Sequence, residues 1–383
     1  MHIPNKKDFL ILVFLLLFST IQFILILRHK SPYLSDSYFY KHIFYQFQGN
    51  SFQESRELVL NQVDFANSGQ ISRNIFQNKA VYSQVYDFFK KRPLYPFLAY
   101  LFNKILHNEY QAFLLPVFIS YLGVVLLAFY FFSQGLNRFF AAFTASLFIS
   151  FYPFLDWSTY FLTDTMGAAF WLLQLFFIYK FAKDMNPKWL YLFSFFLVIS
   201  FLNREQSILM LPLLVLASLF VRVFKIGNFK KKFFRATVVS FLLTILYILV
   251  SYATNQKNVL DTLIYTMNSY GLYSNSYSNL QVINYIAQAA IDSHLVFVRE
   301  LVSRHWWFVL CLFALFKVVK LLIRLKPSIL DILMICSAVA SYLAIFIYPV
   351  LSYRFFFPVV ITVVYFASGF IHDFFKVGKV TEQ

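Results

Sequence analysis

Carboxylates and cations stand at the borders of apolar runs, where ionisable side chains are costly and therefore mark candidate functional positions. Asp36 follows the first apolar run, Asp156 and Asp164 flank the start of a later one, and Arg354 opens the last. Lys91 and Arg92 precede a return to apolar sequence, and Arg204 and Glu205 interrupt another stretch of it. A carboxylate so placed can take the proton of an attacking hydroxyl. Guanidinium and ammonium groups can stabilise a phosphate leaving group as its charge develops. At the lipid boundary this pairing suits a lipid-linked phosphosugar, with its phosphate among the cations and its isoprenoid tail among apolar helices.

The elements that must position these groups follow from composition. Of 383 residues, 60% are hydrophobic and 13% charged, too little charge to cover a soluble domain. The apolar residues fall into separate runs of roughly 20, the length that crosses a bilayer as a helix. Helices satisfy their own backbone in hydrocarbon, and the alternating segments of a membrane barrel do not occur. The expected fold is all-α: a polytopic transmembrane protein of about ten helices, forming a single membrane domain over 1–383. The helices are expected near 9–28, 110–132, 139–155, 160–180, 188–203, 206–224, 235–253, 305–323, 328–349 and 354–375. Asn203-Arg204-Glu205-Gln206 divides two of these runs, and so much polarity reads as a turn at the membrane surface.

The net charge of +16 does not indicate nucleic acid, because the basic residues sit mostly in short loops. Lys6, Lys7, Arg138, Lys180, Lys183, Lys188, Arg222, Lys225, Lys230, Lys231, Lys232, Arg235, Lys317, Lys320, Arg324, Lys326, Lys376 and Lys379 fall on one side, against Arg204 and Arg354 in short loops on the other. That asymmetry predicts both termini in the cytoplasm. Segments of about 29–109 and 254–304 then form the outer loops. The spacing of Tyr38, Phe39, Lys41, His42 and Tyr45 suits a helix lying in the interface, as does Leu94–Leu106 opened by Pro93. The run from Phe9 to Leu27 is long for a cleaved signal, and Arg28-His29-Lys30 follows without a small-residue cleavage site, so it reads as the first membrane helix.

Other features point to no special chemistry. The 52 Phe and 26 Tyr fit an A- and T-rich coding composition better than an aromatic binding function. Cys311 and Cys336 lie in apolar runs and frame no disulfide or metal cluster. His42, His107, His294 and His305 lack metal-ligand spacing, so neither metal nor cofactor is expected. The Tyr-, Asn- and Ser-rich stretch from Tyr265 to Tyr285 has side chains that could grip a sugar, although a plain outer loop is the simpler reading.

Several segments, in order, resemble the motifs of the C-type (GT-C) membrane glycosyltransferases. Ser35-Asp36-Ser37-Tyr38-Phe39-Tyr40 resembles their acidic first-loop motif. Lys91-Arg92-Pro93-Leu94-Tyr95-Pro96-Phe97-Leu98 is similar to their Arg-x-Pro-Leu-Tyr-Pro segment. Phe161-Leu162-Thr163-Asp164 resembles the Thr-Asp or Ser-Glu step that opens a later helix. Phe201-Leu202-Asn203-Arg204-Glu205-Gln206 resembles the Leu-Thr-Arg-Glu/Pro turn, and Ser352-Tyr353-Arg354-Phe355-Phe356-Phe357-Pro358 the late Arg-Tyr/Phe-x-x-Pro motif. The family includes protein O-mannosyltransferases and the aminoarabinose transferases that modify lipid A. Many relatives carry two adjacent acids in the first loop, whereas here Ser37 follows Asp36, a departure that favours a metal-independent mechanism.

The resemblance implies a GT-C-like helical fold, a polyprenyl-phosphate sugar donor and an active site on the outer face, periplasmic if the membrane is a bacterial inner membrane. Asp36 is then the general base of an inverting transfer, with Asp164 and Asp156 as accessory acids. Lys91, Arg92, Arg204 and Arg354 contact the donor phosphate. The partners are a lipid-linked sugar donor, a glycan, lipid or protein acceptor and membrane lipids. Plainer readings exist for each residue. Asp164 suits a helix N-terminus, Asp156 a solvated turn, Lys91 and Arg92 a headgroup-facing patch, and Arg354 a snorkelling anchor. Arg204 and Glu205 are close enough in sequence to pair with each other. The alternative functions are a lipid-glycan or solute transporter, or a noncatalytic scaffold. Only 9 Gly and interfacial rather than midplane ionisable groups count against transport.

Overall fold

A computed structural model describes residues 6–65, 70–226, 229–257, 261, 278–325, 327–346, 354 and 357–380. Every regular element among them is helical: α1 (Lys6–Arg28), α2 (Ser35–Phe47), α3 (Phe52–Leu60), α4 (Gln70–Gln77), α5 (Lys79–Phe89), α6 (Leu94–Leu106), α7 (Glu109–Gly135), α8 (Arg138–Ile149), α9 (Tyr152–Trp157), α10 (Asp164–Asp184), α11 (Pro187–Phe201), α12 (Met210–Val223), α13 (Phe229–Ala253), α14 (Asn279–Ser303), α15 (His305–Ile323), α16 (Ile329–Tyr342) and α17 (Phe357–Val380). A 3-10 turn over Glu205–Leu209 leads into α12.

Seven helices are long and apolar enough to cross a membrane, and α8, α11 and α16 are shorter apolar helices. Phe9, Phe14, Leu17, Phe195, Leu242, Leu246 and Phe316 are exposed along their flanks, as expected where acyl chains replace water. The chain is therefore an integral membrane protein, and each of the ten expected helices has a counterpart. Several differ in extent: α13 begins at Phe229 rather than near 235, and α16 ends at Tyr342 rather than near 349. The run near 139–155 divides into α8 and α9, because Phe151 turns extended and Pro153 sits in the first turn of the next helix. The expected start at 160 moves to Asp164. One helix was not expected: α14 occupies much of the 254–304 segment, which reads as a loop from sequence. Leu280, Ile283, Ala287, Ile291 and Leu295 recur at helical spacing there, but the segment is too polar to read as a span. Most of Tyr265–Tyr285 lies outside the described residues.

The bundle is ordered by neighbours. α10 packs on α7 and α11, α12 on α13 and α16, and α15 along α17. The segment between α1 and α7 forms a helical cap in which α2 is buried from Phe39 to Tyr45 beneath α3, α5 and α6. Phe39 stacks on Phe89 with centroids 4.8 Å apart, and Phe44 meets Phe113 of α7 at 5.1 Å. These contacts fix α2, and with it the residues of its first turn. Lys41 pairs with Glu109 at 2.5 Å, and the Tyr45 hydroxyl donates to Glu109 Oε2 at 2.7 Å, tying the cap to the start of α7.

His42 lies at the centre of the cap. Its Nδ1 is 2.8 Å from the Tyr82 hydroxyl, and the rings of Phe52 and Tyr86 lie 4.7 and 4.5 Å away. Burial, aided by the Arg56 guanidinium, pushes its pKa down to about 4, against about 6.5 in an unfolded chain. Between those values the unfolded chain binds more protons, so this contribution is present above pH 6.5 and lost as pH falls toward 4. The cap is expected to lose roughly 2 kcal/mol between pH 7 and pH 5. Hydrogen exchange of the α2, α3 and α5 amides, corrected for intrinsic rates, checks this. The pH dependence should flatten in His42→Phe.

Candidate active site

The site grows from the junctions between helices at one end of the bundle. After α1, the Phe161 amide donates to the Pro32 carbonyl at 2.9 Å, joining the entry to α2 with the entry to α10. Leu34 N–H donates to Ser37 Oγ at 3.0 Å and closes the first turn of α2 around Asp36. The Leu94 amide donates to the Leu202 carbonyl at 3.2 Å, setting the Lys91–Pro93 segment against the turn after α11. Asn203 Nδ2 donates to the Thr163 carbonyl at 3.1 Å and brings that turn to the start of α10.

These connections gather an alternating set of charges. Asp164, in the first turn of α10 with its side chain 5% exposed, accepts from Arg354 Nε at 3.0 Å and from Arg354 Nη2 at 3.1 Å. This is the bidentate fork that matches guanidinium to carboxylate. Arg204 Nη1 donates to the same carboxylate. Arg354 Nη2 also reaches Asp36 Oδ2 at 3.2 Å, and the Asp36 side chain is 33% exposed. One guanidinium therefore bridges two carboxylates that stand 128 residues apart in sequence (36 and 164). The Trp157 ring lies 4.7 Å from the Arg354 guanidinium carbon, a cation–π contact that fixes its plane.

A second layer lies behind this bridge. The Tyr40 hydroxyl, one helical turn after Asp36, is 3.1 Å from Thr163 Oγ1. Tyr40 is also within electrostatic reach of Arg92. Arg92 Nε is buried without a hydrogen-bond partner among the described residues. Burial opposes the charge on Arg92, but Tyr40, Glu205 and Asp36 outweigh it and raise its pKa. For Arg354, burial is likewise outweighed by Asp164 and Asp36, which hold it charged. Lys91 forms an ion pair with Glu205 and donates to the Lys257 carbonyl at 2.7 Å. Burial lowers its pKa, and the Glu205 carboxylate counters only part of that effect.

Of the candidates read from sequence, Asp36, Asp164, Arg204 and Arg354 are in one hydrogen-bonded cluster, and Arg92 adjoins it through Tyr40. Lys91 sits at its edge, turned toward Glu205. Asp156 stands apart, paired with Lys30 Nζ at 2.7 Å, while that ammonium lies 3.3 Å from the Tyr160 ring centroid. In place of the mutual pairing that their adjacency allowed, Arg204 pairs with Asp164 and Glu205 with Lys91. Three contributors were not among the candidates: Tyr40, Asn203 and Trp157. Tyr40 could have been found from its position one turn after Asp36, which puts both on one helix face. Nothing local marks Trp157. The cleft along Trp157, Asp164 and Arg354 encloses about 10 Å³, about the least that holds one water. Among the described residues, no group of three or more His, Cys, Asp or Glu side chains is arranged to hold a metal ion.

Residues 90–245 match the sequence family described as dolichyl-phosphate-mannose-protein mannosyltransferase. The match contains Lys91, Arg92, Asp156, Asp164 and Arg204, while Asp36 and Arg354 lie outside it. No curated protein matches the chain. Among solved structures, the chain is similar to the archaeal oligosaccharyltransferase AglB from Archaeoglobus fulgidus, solved with an inhibitory peptide and a dolichol-phosphate. The two are 13% identical with a TM-score of 0.48, and the similarity covers 76% of this chain and 43% of that one. The resemblance to GT-C membrane glycosyltransferases is borne out by the family match.

Proposed function

We propose that this protein is a membrane glycosyltransferase that moves a sugar from a polyprenyl-phosphate donor to an acceptor hydroxyl at the outer face of the membrane. The observation that carries this reading is the Arg354 bridge between Asp36 and Asp164. It puts a partly exposed carboxylate beside cations at a helix-end junction where a lipid phosphate would lie. Lys91, Arg92, Arg204 and Arg354 gather here with Asp36, Asp164 and Glu205, a concentration of cations that an anionic phosphate can meet.

The chemistry is a single displacement. Asp36 accepts the proton of the acceptor hydroxyl, whose oxygen forms a bond to the anomeric carbon. The bond from that carbon to the phosphate oxygen breaks, and its electron pair leaves with the lipid phosphate. Attack opposite the leaving group inverts the anomeric centre. Arg354 and Arg92 stabilise the departing phosphate, the latter with an Nε that is already desolvated. Asp164 and Arg204 are positioning residues, because both are buried against each other. Lys91 holds the Glu205 turn. The outward orientation rests on the basic residues at the opposite ends of the helices.

The test is transfer of labelled sugar from polyprenyl-phosphate donors to an envelope extract by purified protein, beside uptake of the same donors into sealed vesicles. Transfer without vectorial uptake is expected. Uptake without transfer would overturn the enzyme reading in favour of a flippase.

A further inference from the structure

A groove of about 390 Å³ opens beside Glu205, the ion-pair partner of Lys91. That volume is in the range of small-molecule sites, about 300–1,000 Å³. Its walls include Glu205 and Ile208 from the turn before α12, and Tyr247, Tyr252, Asn255 and Gln256 from the end of α13. Apart from Glu205, the phosphate chemistry proposed above does not use these residues.

We propose that this groove binds the saccharide ring of a carbohydrate acceptor, an inference that rests on the glycosyltransferase reading. A sugar ring offers apolar C–H faces and a rim of neighbouring hydroxyls. Aromatic faces carry negative charge density that attracts such C–H groups. Planar amides and carboxylates can bond two adjacent hydroxyls at once. Tyr252 is 84% exposed beside the groove, Asn255 and Gln256 bring amides, and Glu205 brings a carboxylate. Ser251, Lys257 and Asp261 complete the polar lining, and Ile208 and Ile248 the apolar one, a mixture that suits the two kinds of surface on a sugar ring.

The wall is preorganised. Asn255 adopts a left-handed backbone (φ 48°), and the Gln256 backbone amide donates to the Ser251 carbonyl at 2.9 Å, a helix-ending motif that fixes the backbone carrying both side chains. These residues follow the last turn of α13, so the groove is entered at the membrane surface, the side from which a water-soluble glycan comes. It also neighbours the proposed chemistry. Glu205 follows Arg204 directly, and Arg92 is within electrostatic reach of both Glu205 and Asp36.

The experiment is saturation-transfer NMR on the full-length protein in nanodiscs, with methyl glycosides and short neutral oligosaccharides as probes. Ring-proton signals are expected for at least one probe with wild type and with Asp36→Asn. Binding should weaken roughly tenfold in Tyr252→Ala, the worth of one aromatic face. It should weaken also in Asn255→Gly, which keeps the left-handed turn and removes the amide. Absence of any signal with wild type, or equal signals in wild type and both variants, would overturn the proposal. Because binding is read without turnover, a failed transfer reading with intact sugar binding stays distinguishable. A short-chain prenyl-phosphate glycoside separates the two sources of sugar. Simultaneous binding with the free glycoside supports an acceptor subsite. Mutual exclusion overturns that assignment and gives the groove to the donor sugar.

Discussion

Asp36→Asn is expected to slow sugar transfer by about 10²–10⁴-fold, the usual contribution of a general base, while the protein folds as before. Two features make this substitution selective. The Asp36 side chain is one-third exposed and has a single described contact with Arg354, at 3.2 Å. An amide oxygen preserves that contact in weakened form, and Arg354 keeps both bonds to Asp164. What is lost is the ability to hold a proton. Initial rates with a labelled polyprenyl-phosphate sugar, beside thermal unfolding of both proteins in the same detergent, check the result. Equal transfer by the two proteins would remove Asp36 from the mechanism. Asp164 would be a poor substitute, since both of its oxygens are already occupied by guanidinium groups.

The membrane helices were legible in the sequence because hydrocarbon enforces their length and polarity, residue by residue. The helix α14 was less so, because amphipathic spacing without a long apolar run does not separate a surface helix from a loop. The site was legible as a set of residues but not as a set of bonds. Arg204 and Glu205 illustrate why. Arg204 has an extended backbone, with φ −162° and ψ 133°, and successive side chains along extended backbone point to opposite sides. Arg204 therefore turns to Asp164 and Glu205 to Lys91, so neighbours in sequence serve two different ion pairs. Asp156 met Lys30 because the chain after α1 lies against α9, a long-range contact that no local pattern encodes. Trp157 beneath Arg354 depends on the same packing.

Asp164→Asn is expected to damage the fold rather than the chemistry alone. The side chains of Asp164 and Arg204 are 5% and 7% exposed, and Arg354 shares the same carboxylate. Removing one partner of a buried ion pair leaves an uncompensated charge and typically costs about 3–5 kcal/mol. Here one substitution withdraws the counter-charge from two guanidinium groups at once. The variant should show low yield and a lowered unfolding temperature, in contrast to Asp36→Asn. Arg204→Gln added to Asp164→Asn should recover part of that stability, because the deeper stranded cation is then removed as well, and coupled neighbours depart from additivity. Transfer activity should not return with it, since Arg354 would keep Asp36 as its carboxylate partner and would hold the base in a tighter ion pair. A single variant as stable as wild type, or a double variant no better than the sum of its parts, would show that the cluster does not bind the two helix junctions together. Stability and activity recovering in step would instead give Asp164 no positioning role beyond holding the fold.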